Sequence, residues 1–288
     1  MRVLVTGAAG MLGQAVMPAL AAAGHATLGL DLPELDVTRL EPLQRAVQDF
    51  HPDWVFHLAA LTKVDDCEVR RDEAFLVNGL GARHAALAAV GVGAALLALS
   101  TDYVFGGTAT SPYGESDAAS PQSVYGASKW AGEQAVREVH PRHVIVRTSW
   151  LFGPGGSNFV DTILARARAG ERLRVVDDQR GSPTFTRDLA QGLLRLVVAG
   201  AAGTYHCTNS GDCTWYELAA HALARAGLGV PLERADTASF PRPAKRPAYS
   251  VLGNGFFEHV TGWRMPPWQD AVDRHLAARA GEPGRNRR

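Results

Sequence analysis

The sequence predicts an α/β protein: a doubly wound parallel sheet with helices on both faces, followed by a smaller C-terminal unit. Three observations predict it. Short apolar, β-rich runs alternate with helical stretches through the first half, as repeated β-α units do. These runs lack two-residue alternation, as strands buried on both faces do. A glycine-rich loop separates the first run from the first helical stretch.

Taken in order, the strands are expected over 3–6, 26–30, 54–59, 94–100 and 144–149, and the helices over 12–23, 43–50, 68–90 and 125–139. After Trp150 the texture changes. Glycine and proline punctuate 151–157, a helix is expected over 158–169, and a short strand, 173–176, leads into a loop over 177–184. A helix at 187–198 and a strand at 204–207 follow. Thr214 with Glu217 three residues on reads as a capping box opening a helix over 214–226. The proline-rich, basic stretch 231–247 is expected as a loop, 268–279 as the last helix, and the polar tail 281–288 as disordered. The domain reading is a first unit over 1–150, which also receives elements from about 173–207, and a second, interleaved unit mainly over 151–280.

Composition removes several function classes. The 288 residues carry 29 Lys+Arg against 29 Asp+Glu, so no basic excess favours nucleic acid or an anionic membrane. Three scattered cysteines, Cys67, Cys207 and Cys213, make neither a disulfide framework nor a metal-ligand pair, which favours a reducing compartment. The chain enters a strand pattern at once, without a signal peptide's apolar stretch. Its longest uncharged run is broken by Gly91 and Gly93, so the expected location is the cytoplasm. His140 and His143 read as structural, Cys207 as a core residue, Cys213 as a loop thiol, and Trp215, Trp263 and Trp268 as packing residues.

The loop Gly7-Ala8-Ala9-Gly10-Met11-Leu12-Gly13 follows the first strand and opens a helix. Small residues let the backbone turn sharply and approach a ligand, and the helix N-terminus offers free N–H groups to a diphosphate. The second strand ends at Asp31, which is placed to accept hydrogen bonds from ribose hydroxyls and favours NAD over a 2′-phosphate. Asp36 and Val37 are placed to border an adenine.

Tyr125 and Lys129 stand four residues apart on a predicted helix, on one face. Lysine is rare here: only Lys63, Lys129 and Lys245 occur, beside six tyrosines. Chance would give about 0.06 such pairs. A nearby ammonium favours a phenolate, and lowering a tyrosine from about 10 to about 7 corresponds to about 4 kcal/mol. Lys129 is therefore expected to make Tyr125 acidic. Ser100-Thr101-Asp102 ends a buried strand, where ligand crevices of such sheets lie. Its hydroxyls are placed to meet a carbonyl and the tyrosine oxygen.

Together with STDYVF at 100–105, VYGASKWAGE at 124–133, RTSWLFGPGGSNF at 147–159, DDQRGSPT at 177–184, GTYHCTNSG at 203–211 and RPAKRPAYSVL at 242–252, the chain resembles the extended short-chain dehydrogenases/reductases. More narrowly it is similar to their dTDP-4-dehydrorhamnose reductase family, over about residues 1–280. The resemblance implies a Rossmann-type domain with a smaller substrate domain, NADPH or NADH as cofactor, and reduction of the C4 keto group of dTDP-4-dehydro-L-rhamnose for cell-surface polysaccharide synthesis. It implies that Tyr125 donates a proton, Lys129 binds the nicotinamide ribose and tunes Tyr125, and Thr101 assists. It places Gly7, Gly10, Met11, Leu12, Gly13, Asp31, Asp36, Val37, Ala60, Leu61 and Thr62, with Tyr125 and Lys129, along the dinucleotide. Thr101, Asp102 and Trp150 fall at the sugar, and Lys245 and Arg246 at the nucleotide diphosphate.

Two departures stand out. The third strand ends in HLAALT, where the family usually carries an asparagine near His57 or Leu58. Some members hold magnesium at a dimer interface with acidic residues where this chain has Gln14-Ala15 and Arg187; Asp188 is a partial substitute. No metal is expected, and the chain is expected as a monomer or weak homodimer. A different nucleotide-sugar 4-ketoreductase or a 4-epimerase shares the Tyr-Lys machinery and remains open. A non-catalytic binding subunit on the same fold is disfavoured by the intact Thr101, Tyr125 and Lys129.

Overall fold

A computed structural model describes residues 1–280; the tail expected to be disordered, 281–288, lies outside the described residues. The chain opens with β1 (Arg2–Thr6), α1 (Gly13–Ala22), β2 (Ala26–Leu30), α2 (Leu40–Phe50) and β3 (Trp54–His57). Then come α3 (Val64–Val69), α4 (Arg71–Ala74), a π-helical turn over Phe75–Leu80, α5 (Gly81–Gly91), β4 (Ala95–Thr101), α6 (Val124–Val139) and β5 (His143–Thr148). Beyond Trp150 lie β6 (Leu151–Phe152), α7 (Phe159–Arg168), β7 (Leu173–Val176), β8 (Arg180–Gly181), β9 (Thr184–Phe185), α8 (Thr186–Val198) and β10 (Gly203–His206). The last elements are β11 (Cys213–Thr214), α9 (Trp215–Arg225), β12 (Leu232–Ala235), α10 (Gly255–Thr261) and α11 (Trp268–Ala280).

Six strands form one parallel sheet in the order β2-β1-β3-β4-β5-β10. Its burial explains the missing alternation. Val3 and Val5 face a core with Val16, Leu20, Leu189 and Leu193 from α1 and α8. Leu4 between them faces Leu43, Val47, Ala85 and Ala89 from α2 and α5. Both faces are apolar because both are covered. The chain reverses direction across the sheet between β1 and β3, which opens a crevice beyond their carboxyl ends.

A second core gathers Phe152, Ile163, Leu164, Leu173, Leu218, Leu223 and Trp268 from β6, α7, β7, α9 and α11. Of the segment 173–207 expected to return to the main sheet, α8 and β10 do so. β7 does not; it pairs in parallel with β12. That strand falls in the stretch expected as a loop. Four residues, two of them charged, carry too little apolar signal to stand out among prolines. The capping box forms: Thr214 accepts from Glu217 N and Glu217 accepts from Thr214 N. α10 was not expected; it ends at Gly262 in the left-handed region. Cys213, expected as a loop thiol, is a buried strand residue.

The helix expected over 68–90 breaks at Arg70, and from Arg71 to Gly91 it runs on through the π turn. The π turn inserts an extra residue per turn and re-aims the chain. It brings the Asn78 carbonyl against α6 so closely that a Cβ on Gly132 would lie 2.3 Å from it. Only a glycine there admits the approach.

Candidate active site

The glycine loop sits at the reversal between β1 and β3. Gly7 has φ +72°, and a Cβ there would fall 2.6 Å from the Ala59 nitrogen at the end of β3. A Cβ on Gly13 would fall 2.3 Å from the Gly7 carbonyl. The first turn of α1 therefore packs directly on the loop and leaves Ala9 and Gly10 exposed at its mouth. Leu12 is buried beneath, while Met11 reaches across to Gly156. Asp31 ends β2 and accepts a hydrogen bond from Ala9 N at 2.9 Å through Oδ2. This cradle, bounded by backbone and closed by an acid, fits a dinucleotide diphosphate and its adenosine ribose.

Asp36 accepts from both the amide and hydroxyl of Thr38 at 2.9 and 2.7 Å, which hold its carboxyl below the usual range. Val37 is buried against Gly81 of α5. Residues 60–62 continue from β3 across the crevice. Leu61 is fixed by Asn78, whose side chain also donates to Ser128 Oγ on α6 at 2.9 Å. Sequence reading missed Asn78, because the π turn that aims it inward reads as ordinary helix.

Helix α6 carries the Tyr-Lys pair. Ser123 caps it by accepting from Gly126 N, and Gly126 lets the Tyr103 carbonyl come close to its Cα. The Thr101 hydroxyl, at the end of β4, neighbours the Tyr125 phenol and acts to stabilise its anion. It also donates to Asp102 Oδ1 at 3.0 Å. Burial pushes the buried Asp102 carboxyl up to about 6, against the Ser250 and Thr101 hydroxyls.

One expectation is corrected. Burial holds the Tyr125 phenol well above its ordinary value, with Thr101 opposing and Asp102 and Cys67 reinforcing the rise. Lys129 is not among the groups that act on it. The reason is placement: Lys129 is buried and lines a small cavity behind α6 with His57, Asn78, Ser100 and Glu133. Burial lowers its ammonium to about 8, opposed by Glu133.

A cavity of about 790 Å³ opens beside this cluster. Tyr103 lines it and meets Tyr125 edge to face, ring centroids 5.6 Å apart. Lys245 and Arg246 line it too, joined by Arg166, Arg174 and Arg242, three cations not singled out from the sequence. Arg246 pairs with Asp65 at 3.0 Å, and its Nη1 is buried without a partner. Trp215, expected to pack and not singled out among the tryptophans as a pocket residue, lines the cavity and stacks on Trp150. Sequence carried no signal for this, since both contacts come from distant segments. At the site of the departed acids, Gln14 Nε2 donates to the Ala9 and Gly155 carbonyls. Asp188 is taken up by both Arg274 Nη atoms at 2.7 Å and by Asn209.

A glycine cradle at the sheet's reversal point, with a strand-end threonine and a Tyr-Lys helix facing it, defines a dinucleotide-dependent oxidoreductase of the extended short-chain type. Comparison narrows this. The family described as RmlD substrate binding domain matches residues 1–280. The spore coat polysaccharide biosynthesis protein SpsK of Bacillus subtilis (strain 168) is 40% identical over 279 residues, 97% of this chain and 98% of its own. A dTDP-4-dehydrorhamnose reductase of Streptomyces griseus is 42% identical over 291 residues, 99% of this chain and 96% of its own. The crystal structure of a dTDP-4-dehydrorhamnose reductase from Bacillus anthracis in complex with NADP superposes with a TM-score of 0.94 at 39% identity, covering 96% of this chain and 99% of that one. The chain belongs to the RmlD family, that of the dTDP-4-dehydrorhamnose reductases.

Proposed function

We propose that this chain reduces the C4 keto group of dTDP-4-dehydro-L-rhamnose to give dTDP-L-rhamnose, with NADPH or NADH. The observation that carries the reading is the Thr101 hydroxyl acting on the Tyr125 phenol, whose ring meets Tyr103 of the arginine-lined cavity edge to face. Residues 1–150 with α8 and β10 are the dinucleotide unit, and the rest of 151–280 is mainly the nucleotide-sugar unit. Free, buried cysteines support a reducing compartment, the cytoplasm, with the protein as a monomer or weak homodimer.

Gly7, Gly10, Met11, Leu12, Gly13, Asp31, Asp36, Val37 and residues 60–62 hold the dinucleotide, and Lys129 its nicotinamide ribose. When bound, the reduced nicotinamide supplies the hydride for C4. Thr101 hydrogen-bonds the C4 carbonyl oxygen and polarises it. The O–H bond of Tyr125 breaks as the new O4–H bond forms. A phenol held above its ordinary pKa stays protonated across neutral pH, so the donor is loaded before reaction. The phenolate left behind is stabilised by the Thr101 hydroxyl. The arginines and Lys245 neutralise the diphosphate, and Asp102 and Trp150 contact the sugar.

The test is incubation with the dTDP-linked 4-keto sugar and NADPH or NADH. One cofactor oxidised per sugar reduced supports the reading. An epimerised sugar with no net cofactor oxidation overturns it in favour of a 4-epimerase, and tight binding to another protein without turnover favours a binding subunit.

A further inference from the structure

Behind the Tyr-Lys helix lies a charged arrangement that the reaction above does not use. Glu133 follows Lys129 by one turn of α6 and is 3% exposed. Arg147 of β5, 2% exposed, grips it with two bonds: Nε to Oε1 at 2.9 Å and Nη2 to Oε2 at 2.8 Å. Ser100 Oγ donates to Oε1 at 2.5 Å, and Arg137 Nη2 to Oε2 at 2.7 Å. The guanidinium of Arg147 is itself wedged over Phe105 and near Trp130, 5.0 and 5.8 Å from the ring centroids. Its Nη1 donates to the Glu115 carbonyl at 3.3 Å. A carboxylate so bound has its orientation fixed from three sides.

The cavity shared by Lys129, Glu133, Ser100, Asn78 and His57 measures about 10 Å³, the size of one water site. His57 is buried, its Nδ1 engaged with Thr6 Oγ1 at 2.9 Å and its Nε2 without a partner. An ammonium in such a chamber loses hydration and needs an anion.

We propose that Glu133, locked by Arg147 and Ser100 and sharing the small cavity with Lys129, is a positioning residue that keeps Lys129 charged from behind. It rests on the assignment of Lys129 to the reaction. The alternatives among groups on the elements packed against α6 are few. β3 brings His57, which burial and Lys129 keep neutral near physiological pH. The turn after β4 brings Asp102 and Tyr103, which lie at the phenol end of the helix. α3 and α4 bring Cys67, the acids Asp65, Asp66, Glu68, Asp72 and Glu73, and the cations Arg70 and Arg71; Glu68 bonds Val124 N at the start of α6. α5 brings Arg83 and His84, the latter bonded to the Val37 carbonyl. β5 brings His143, at its far end, and Arg147, whose charge is spent on Glu133. Among the described residues, Glu133 is the charge that favours the ammonium.

The chain's three lysines make this directly measurable. In protein labelled with 13C-lysine, three Cε signals titrate, and Lys63→Arg and Lys245→Arg assign them. In Glu133→Gln, the Lys129 midpoint should fall by about one unit or more, with Lys63 and Lys245 unmoved. The basic limb of kcat should move down with it. Should the single variant fail to fold, Glu133→Gln with Arg147→Met removes both buried charges together, and a smaller fall in the same direction is expected, since the lost guanidinium offsets part of it. A folded variant whose Lys129 midpoint and basic limb both stay in place overturns the proposal, even if kcat drops. A wild-type chain that does not reduce the keto sugar refutes the assigned reaction instead, while the NMR midpoint still decides the role of Glu133.

Discussion

Asn78 clamps Leu61 by both of its backbone groups: Oδ1 accepts from the Leu61 amide at 2.8 Å and Nδ2 donates to its carbonyl at 3.0 Å. The same Nδ2 reaches Ser128 Oγ at 2.9 Å, and Ser128 Oγ donates to the Tyr125 carbonyl at 2.8 Å. One buried amide thus ties the loop proposed to border the dinucleotide to the helix that carries Tyr125 and Lys129. The π turn aims it there.

Replacing Asn78 with alanine leaves the Leu61 amide without a protein partner and its carbonyl with the Cys67 thiol alone. Each buried group so abandoned costs about 1–3 kcal/mol. Asn78→Ala should lower stability by about 2–5 kcal/mol in denaturant melts. In protein that remains folded, dinucleotide affinity should weaken about tenfold or more, read by fluorescence titration. Unchanged affinity would show that the clamp serves the fold alone.

Much of this was readable from residues. The five strand runs, the glycine loop, the Tyr-Lys spacing and the Thr214 capping box are local patterns, and each appears where local physics puts it. What escaped depends on contacts remote in sequence. Nothing local in 68–90 marks a π turn; what accompanies it is the close approach of the Asn78 carbonyl to Gly132, remote in sequence. Strand β12 exists because β7 offers it an edge. The charge logic of the site also misled. Tyr125 and Lys129 share a helix face, yet burial governs both, and the carboxylate nearest in effect to Lys129 is Glu133. Spacing fixes which groups meet; it does not fix how dry their surroundings are.

Tyr125→Phe keeps the ring and its edge-to-face contact with Tyr103 but removes the proposed proton donor. The variant should fold with unchanged melting behaviour and bind dinucleotide as before. Its kcat for keto-sugar reduction should fall by about 10²–10⁴. Steady-state cofactor oxidation measures this, and near-normal turnover would falsify the donor assignment.

Burial also shapes stability against pH. His57 is pushed down to about 3 by burial, aided by the Lys129 charge, and His206 to about 4 by burial, aided by Arg147. Their ordinary value is 6.5. Between about 6.5 and 4 the unfolded chain binds a proton at each site that the folded chain refuses. Stability therefore falls as pH falls through that window, by about 1.4 kcal/mol per pH unit for each histidine. Asp102, held up to about 6, takes up a proton in the folded chain over the lower part of this window and offsets about one histidine's share there. Denaturant melts from about pH 7 to about pH 4.5 should therefore show the net decline, and His57→Gln should remove about one histidine's share of the slope. An equal slope in the variant would place the lost protons elsewhere.

Trp150 offers the sharpest test of the sugar side. Its backbone sits at φ +46°, a left-handed conformation that a bulky residue adopts only when its surroundings impose it. Its ring lies flat on Trp215, centroids 3.5 Å apart and planes 9° from parallel. On its other side is Gly181, where a Cβ would come within 2.5 Å of the Trp150 Cε2 atom. The ring is held between an indole and a bare Cα, so it has no room to yield without leaving the stack. Gly181→Ala should therefore displace Trp150 from its stack on Trp215, which lines the cavity, while leaving the glycine cradle untouched. The expected outcome is a KM for the keto sugar raised about tenfold or more, with dinucleotide affinity unchanged, since a misplacement of about 1 Å is enough for large losses. Tryptophan fluorescence should change in the same variant, because the stacked pair is broken. A variant with altered fluorescence but an unaltered KM would remove Trp150 from the proposed sugar contacts.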